Sequence, residues 1–156
     1  MGGAPGSLLD VASVSADPEE FVLGPLLDRW LSVLDPSAMA IHARVMRWTM
    51  DEFLLPPRLF TEVVELLYRE DRFARGELTL SGQPALPAAL NGVPIAAIVD
   101  PTSWVVPPSS ALAPLANPLV FRYQPEIGVG LQHVGPLVGR RAHRELWPQV
   151  INWMQA

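Results

Sequence analysis

The feature that most constrains this chain is an apolar run at residues 93–99, which carries no charge and stops at Asp100-Pro101. Its length and its valines and isoleucines predict a strand that is buried on both faces. Residues 108–116 predict a short helix and residues 119–123 a second strand. A strand, a helix and a strand in this order indicate a parallel crossover unit, followed by a loop and a final helix at residues 138–154.

Two parallel strands alone do not make a stable sheet. A parallel sheet needs both faces covered and its edges paired. We therefore predict an α/β fold in which this crossover is the end of a larger sheet. If the chain is alone, residues 93–99 leave an exposed apolar sheet edge, and we expect self-association or poor solubility.

The N-terminal half of the chain is predicted to be helical and interrupted. Asp17 followed by Pro18, and Asp35 followed by Pro36, are typical helix starts. Gly24-Pro25 is expected to break or kink the first helical run, and residues 58–73 form the clearest amphipathic pattern. The chain thus divides into a tail or remnant (1–16), a helical segment (17–75) and an α/β segment (76–156).

Composition narrows the class of function. The chain has 156 residues, 49% of them hydrophobic, which predicts a sizeable core rather than disorder. The net charge is -5 and there is no lysine, which argues against binding to nucleic acid or an anionic membrane surface. The absence of cysteine excludes disulfides and a cysteine nucleophile within these residues. Neither a signal peptide nor a membrane span is recognisable, so we expect a cytoplasmic protein.

His133 is the candidate general base. It lies in a glycine-rich loop, Gly128-Val129-Gly130-Leu131-Gln132-His133-Val134-Gly135, directly beyond the second predicted strand. Loops of this kind project side chains into the crevice above a parallel sheet. His42 and His143 lie among helical, charged residues and are predicted to be at the surface. No histidine or carboxylate stands at a metal-ligand spacing from His133, so neither a metal nor a cofactor is predicted.

An ordered set of motifs resembles a known family. The strand and its end (94–100), Val105-Val106-Pro107-Pro108 and the His133 loop resemble the last third of the α/β-hydrolase fold. Residues 47–53 (RWTMDEF) and 67–73 (LYREDRF) resemble the passage from cap to core in polyhydroxyalkanoate synthases. The resemblance covers roughly residues 15–155. It implies a partial α/β-hydrolase fold: a cap-like helical segment (17–75), then the last strand-helix-strand-helix unit of the sheet (76–156).

The resemblance also implies a reaction and its residues. The family transfers acyl groups from thioesters, using a nucleophile on a Gly-x-Cys-x-Gly or Gly-x-Ser-x-Gly elbow and a histidine, here His133. None of the serines in this chain has the elbow's glycines, so the nucleophile is expected on another segment. Family members place an aspartate where this chain has Ser103. Asp100, three residues earlier at the strand end, is the candidate acid.

Three functions remain open from the sequence. The first is the C-terminal half of an acyltransferase that assembles with an N-terminal half or a full-length homologue and acts on an acyl thioester. The second is a non-catalytic remnant that serves as a binding or regulatory subunit. The third, an independent esterase with a serine outside an elbow, is disfavoured because no serine has the strained strand-to-helix context.

Aromatic and cationic residues admit a structural and a functional interpretation. Trp30, Trp48, Trp147 and Trp153 follow helical patterns and are predicted to pack in the core. Trp104, beside the candidate acid, is expected either to line an acyl pocket or to form a lid. Three arginines, Arg140, Arg141 and Arg144, open the last helix, and a solvated face is favoured over an anion site there.

Overall fold

A computed structural model describes residues 4–5, 7–51, 54–103 and 105–156. Within these residues the α-helices are α1 (Ser7–Ala16), α2 (Gly24–Ser32), α3 (Pro36–Thr49), α4 (Pro57–Glu62), α5 (Pro108–Leu112), α6 (Gly135–Val138) and α7 (Trp147–Met154). Segments with π-helical bonding are Glu19–Leu23, Val63–Arg69 and Ala142–Leu146, and short 3-10 turns are Pro87–Leu90 and Gln132–Val134. The strands are β1 (Ala4–Pro5), β2 (Leu54–Leu55), β3 (Thr79–Leu80), β4 (Gln83–Pro84), β5 (Ala96–Val99) and β6 (Leu119–Arg122).

The predicted parallel crossover is present. Strands β5 and β6 pair in parallel, with Ala96 opposite Leu119 and Val99 opposite Arg122, and α5 lies between them in the chain. The first strand begins at Ala96 rather than at Val93, which is 54% exposed. Within the described ranges this sheet has two strands only.

Two small antiparallel pairs complete the strands. β1 pairs with β2, and β3 pairs with β4 in a hairpin whose turn is Ser81-Gly82. Both turn residues have positive φ, at 51° and 77°. The described chain is therefore a mixed helix-and-sheet structure that contains one parallel pair, consistent with the predicted α/β class.

The predicted helix starts are confirmed by side-chain caps. Asp17 Oδ1 accepts a hydrogen bond from the Glu20 amide at 3.0 Å. Asp35 Oδ1 accepts from the amides of Ser37 and Ala38 at 2.9 and 3.1 Å. Because the first amides of a helix have no partner within it, such carboxylates fix where the helix begins.

Three predicted helix boundaries differ in the structure. Gly24-Pro25 does not interrupt the helical run. The hydrogen bonding changes there from π-helical to α-helical, and Pro25 lies in the first turn of α2, where proline is tolerated. The helix predicted at 58–73 stops at Arg69, where Glu70 and Asp71 begin a turn. The final run is split by the extended backbone of Gly139, whose ψ is 139°.

Two hydrophobic clusters place the His133 loop between the helical half and the sheet. Val45 of α3 packs with the loop residues Val129, Leu131 and Val134. The second cluster joins the end of β6 to the last helices and consists of Tyr123, Ala142, Leu146 and Val150. The loop is thus packed on α3 from one side and precedes the helices that cover the sheet.

The four helical tryptophans do not share one environment. Trp147 is half-buried and its indole N–H donates to the Pro136 carbonyl at 2.7 Å, while Trp153 meets the Phe121 ring edge-on at 6.5 Å. The prediction is wrong for Trp30 and Trp48, which are 78% and 61% exposed. The faces that α2 and α3 bury carry small and polar residues instead, namely Pro25, Asp28, Ser32, Ala38, His42 and Val45. Trp104 lies outside the described residues.

None of the helices among the described residues is long and apolar enough to cross a bilayer.

Candidate functional site

The loop that presents His133 can form only with glycine at one of its positions. Gly128 has φ of +98°, a region that side chains disfavour, and a Cβ there would lie 2.7 Å from the Cα and carbonyl oxygen of Ala38. Gly128 therefore allows the loop to lie directly on the first turn of α3. This contact brings the segment after β6 against the helical half of the chain.

A buried carboxylate ties the same loop to the helices. Asp28 Oδ1 accepts the Gly128 amide at 2.8 Å, and Asp28 Oδ2 lies 3.3 Å from His42 Nδ1. His42 is 5% exposed, so the prediction that it lies at the surface is wrong. Its spacing from Ala38 and Val45 on α3 places it on the buried stripe of that helix, a signal that the charged neighbours obscured.

His133 lies in the turn Gln132–Val134 and is partly buried. Its Nδ1 is buried and has no hydrogen-bond partner among the described residues. The nearest carboxylate oxygen is Oε1 of Glu20, 3.9 Å from Nδ1, and the Phe21 ring packs against the imidazole with centroids 5.8 Å apart. Burial lowers the pKa of His133 below its ordinary value of 6.5, so the ring is neutral at pH 7.

Glu20 enters the site from the first turn of the helical half. Its pKa is raised above 4.5, chiefly because burial disfavours the charged form. A hydrogen bond from the Gln132 amide acts in the opposite direction, and the charges of Asp17 and Asp100 raise the pKa further. Neither its position in a helix start nor its sequence context predicts a contact with the His133 loop.

Asp100, the candidate acid, ends β5 and is 5% exposed. Its Oδ1 accepts from the amide and the hydroxyl of Thr102 at 2.8 and 2.7 Å, whereas its Oδ2 is buried and unpartnered within the described ranges. No hydrogen bond links Asp100 to His133 in the part of the chain that the structure describes. Ser103 Oγ accepts from the Val106 amide at 3.1 Å and so serves the turn.

Tyr123 is a site residue that sequence reasoning missed. It directly follows β6, is 2% exposed, and its hydroxyl has no hydrogen-bond partner among the described residues. Burial raises its pKa well above the usual range, and the charges of Glu126 and Asp100 contribute. Its phenol fills the space in which a Cβ on Gly135 would stand. A buried aromatic directly after a strand predicts core packing rather than a polar role, so the sequence carries no signal for it.

We call Glu20, Asp100, Tyr123 and His133 the strand-end cluster. The charge of Asp100 reaches both Glu20 and Tyr123, and Glu20 contacts His133, so the four groups share one electrostatic environment. An unpartnered buried polar atom costs about 1–3 kcal/mol, and the cluster contains three of them. Unpartnered buried polar atoms are uncommon in folded proteins, and a catalytic role is one explanation for them.

Other polar features belong to the scaffold. Arg140 Nη2 lies 2.9 Å from Asp35 Oδ2, and the Arg141 amide donates to Glu126 Oε1 at 2.9 Å, so both arginine positions have partners within the chain. The helix-capping amide of Ala38 and the guanidinium of Arg140 hold the pKa of Asp35 below 3.8. Among the described residues no group of three acidic or histidine side chains is arranged to hold a metal ion.

A groove of about 330 Å³ lies apart from the strand-end cluster, between β6 and the last helices, and only Tyr123 is common to both. Its other lining residues are Val120, Phe121, Arg122, Gln124, Arg141, Ala142, Glu145, Leu146 and Gln149. The groove is thus not the space into which His133 opens.

Comparison with known proteins agrees with the motifs. The chain is 28% identical over 154 residues to the poly(3-hydroxyalkanoate) polymerase subunit PhaC of Haloferax mediterranei, covering 98% of this chain and 31% of that protein. It is 20% identical over 153 residues to the subunit of the same name from Haloarcula marismortui, covering 98% of this chain and 32% of that protein. The chain therefore spans about a third of the length of these curated relatives. No protein-family model and no solved structure matches it.

The similarity to polyhydroxyalkanoate synthases that the motifs predicted is thereby confirmed.

Proposed function

We propose that this chain is the C-terminal part of a polyhydroxyalkanoate synthase-like acyltransferase of the α/β-hydrolase fold, in which His133 is the general base. One observation carries the proposal. A partly buried imidazole follows the parallel strand β6, and a carboxylate oxygen of Glu20 lies 3.9 Å from its buried Nδ1. The carboxyl edge of a parallel sheet is where α/β enzymes assemble their sites.

An α/β-hydrolase fold would explain why β5 and β6 pair only with each other within the described residues. The rest of the parallel sheet pairs with the outer edge of β5, residues 17–75 form a cap-like segment, and residues 76–156 form the end of the core. The partner is an N-terminal half or a full-length homologue that carries the nucleophile elbow. The location that the composition favours is the cytoplasm.

The chemistry is acyl transfer from a thioester. His133 takes the proton of the cysteine or serine on the elbow, whose sulfur or oxygen then attacks the thioester carbonyl. As the carbon–sulfur bond breaks, the imidazolium gives that proton to the leaving thiolate, which departs as the free thiol, and the acyl group stays on the elbow. Asp100 supplies negative charge at the strand end, where it favours the imidazolium.

A non-catalytic binding or regulatory subunit is the second candidate. It is favoured by Ser103, which occupies the family's aspartate position and is engaged by the Val106 amide. Serine accepts a hydrogen bond but brings no charge to stabilise an imidazolium.

Co-expression tests the choice between these functions. The 156-residue chain is produced with an elbow-bearing N-terminal segment of a haloarchaeal relative, and release of free thiol from a 3-hydroxyacyl thioester is measured. We expect a complex that releases thiol, and a loss of about 100-fold or more in His133→Gln, because general-base catalysis contributes 10²–10⁴-fold. His143→Gln, on an exposed ring in the same segment, is the matched control and keeps the activity.

Two outcomes would contradict the proposal. A complex that forms but releases no thiol would favour the regulatory subunit. Thiol release that survives His133→Gln would remove His133 from the reaction.

A further inference from the structure

We infer that Glu20 is the positioning carboxylate of His133 and takes the role that the family gives to the aspartate at the place of Ser103. The inference rests on the proposed function, since it concerns the same histidine. It differs from the sequence-based expectation, in which Asp100 holds the ring.

The contact itself is the first argument. Glu20 Oε1 is 3.9 Å from Nδ1 of His133, and both side chains are 21% exposed. Nδ1 has no hydrogen-bond partner in the described parts of the chain, and its 3.9 Å separation from Glu20 Oε1 is that of an ion pair rather than of a hydrogen bond. In a catalytic triad the acid faces Nδ1 and leaves Nε2 free for the nucleophile, and the exposed part of this ring lies away from Nδ1.

The second argument is that Glu20 is held in place. Its amide is bound by the Asp17 side chain at 3.0 Å, which fixes the helix turn that carries it. Its neighbour Phe21 packs on the imidazole from the same turn. The Gln132 amide, next to His133 in the loop, lies close enough to the Glu20 carboxylate to lower its pKa. The helix turn that carries Glu20 is therefore fixed, and it packs on the His133 loop through Phe21.

The third argument is the state of the alternative acids. Asp100 Oδ1 accepts hydrogen bonds from Thr102. Ser103 is uncharged, and its Oγ accepts the Val106 amide. The Asp100 charge still reaches Glu20. Asp100 Oδ2 is unpartnered, but no hydrogen bond joins it to His133 within the described residues, so Asp100 acts as a source of negative charge rather than as the direct partner of the ring.

The pairing does chemical work in both protonation states of the histidine. The negative charge of an ionised Glu20 favours the tautomer of the neutral ring that carries its proton on Nδ1 and leaves Nε2 as the base. When Nε2 takes the proton of the nucleophile, the same carboxylate stabilises the imidazolium. Asp17, Glu20 and Asp100 are the acidic groups in this environment.

A histidine titration by NMR tests the pairing without any substrate, in the assembled complex with only the 156-residue chain isotope-labelled. In Glu20→Gln the midpoint of His133 is expected to move to lower pH, because the imidazolium loses its counter-charge. Glu19→Gln removes a neighbouring exposed carboxylate and leaves the midpoint unchanged, and Asp100→Asn moves it less than Glu20→Gln does. Glu20→Asp keeps the negative charge but holds it farther from the ring, because the side chain is shorter, and it gives an intermediate midpoint. The resonances of His42 and His143 report whether each variant stays folded.

Activity of the assembled complex separates this inference from the proposed function. Glu20→Gln is expected to lower kcat by roughly ten- to a hundredfold with KM little changed, less than the loss of a fully buried triad acid. A shifted midpoint in a complex that is inactive even as wild type would sink the proposed function and leave the pairing intact. An unchanged midpoint in folded Glu20→Gln, or a shift in Asp100→Asn as large or larger, would overturn the pairing.

Discussion

At the scale of single residues, Asp28 satisfies two buried groups that come from distant segments. Its carboxylate accepts the amide of Gly128, 100 residues away in the chain, and lies beside the His42 ring. Both partners are buried, so water cannot replace the carboxylate if it is removed. This one side chain therefore links the helical half to the loop that presents His133.

Replacing Asp28 by alanine is expected to lower the free energy of unfolding by about 3 kcal/mol, because an amide and an imidazole lose their buried partner. Asp28→Asn keeps an oxygen for the Gly128 amide and is expected to lose less. Urea unfolding of the chain in complex with the elbow-bearing N-terminal segment, followed by circular dichroism, measures both values. A loss in Asp28→Ala no larger than in Asp28→Asn would show that the carboxylate does not hold the loop.

At the scale of elements, the loop and α3 fit together through the missing side chain of Gly128. The positive φ of Gly128 and its close approach to Ala38 are two separate reasons why this position requires glycine. Gly92 allows the two to be compared. Gly92 has φ of +84° but nothing within 4 Å of its Cβ position. The two glycines thus share the backbone demand and differ in the steric one.

Gly92→Ala is expected to lower the free energy of unfolding by about 1 kcal/mol, the cost of a side chain at positive φ. Gly128→Ala adds a backbone clash, and we expect a loss of about 3 kcal/mol or more. Thermal unfolding of the two variants and the wild type, each in complex with the elbow-bearing N-terminal segment, gives the difference. Equal losses would mean that the loop moves off α3 without cost.

Local signals explain which elements the sequence predicts. The caps Asp17 and Asp35 act on amides two or three residues away, and the parallel pair follows from two short apolar runs, so each could be predicted. The strand-end cluster could be predicted only in part. His133 is marked by its glycines and Asp100 by the strand end, but the contact of Glu20 with His133 joins the two halves of the chain and has no local pattern.

The helical spacing of apolar residues gave a wrong prediction where a helix buries polar residues. The buried stripes of α2 and α3 include Asp28 and His42, and the tryptophans Trp30 and Trp48 face outward. Aromatic residues at helical spacing usually indicate the core side of a helix. Here the exposed aromatics instead leave apolar surface on the helical half, which is consistent with a larger assembly around it.

At the scale of the whole molecule, apolar surface and strand edges remain uncovered. Strands β5 and β6 pair only with each other within the described residues, and Val93 and Leu119 near the start of each strand are about half exposed. Leu34, Trp30 and Met50 are 94%, 78% and 79% exposed on the helical half. Exposed edges and apolar patches of this kind favour pairing with other chains.

Light scattering and circular dichroism of the purified 156-residue chain, alone and with an elbow-bearing N-terminal segment, test most directly whether this structure is one part of a larger α/β fold. We predict that the chain alone self-associates and unfolds without a sharp transition, and that the two segments together give a defined complex with one cooperative transition. A soluble monomer that unfolds cooperatively by itself, and is unchanged by the added segment, would contradict the account.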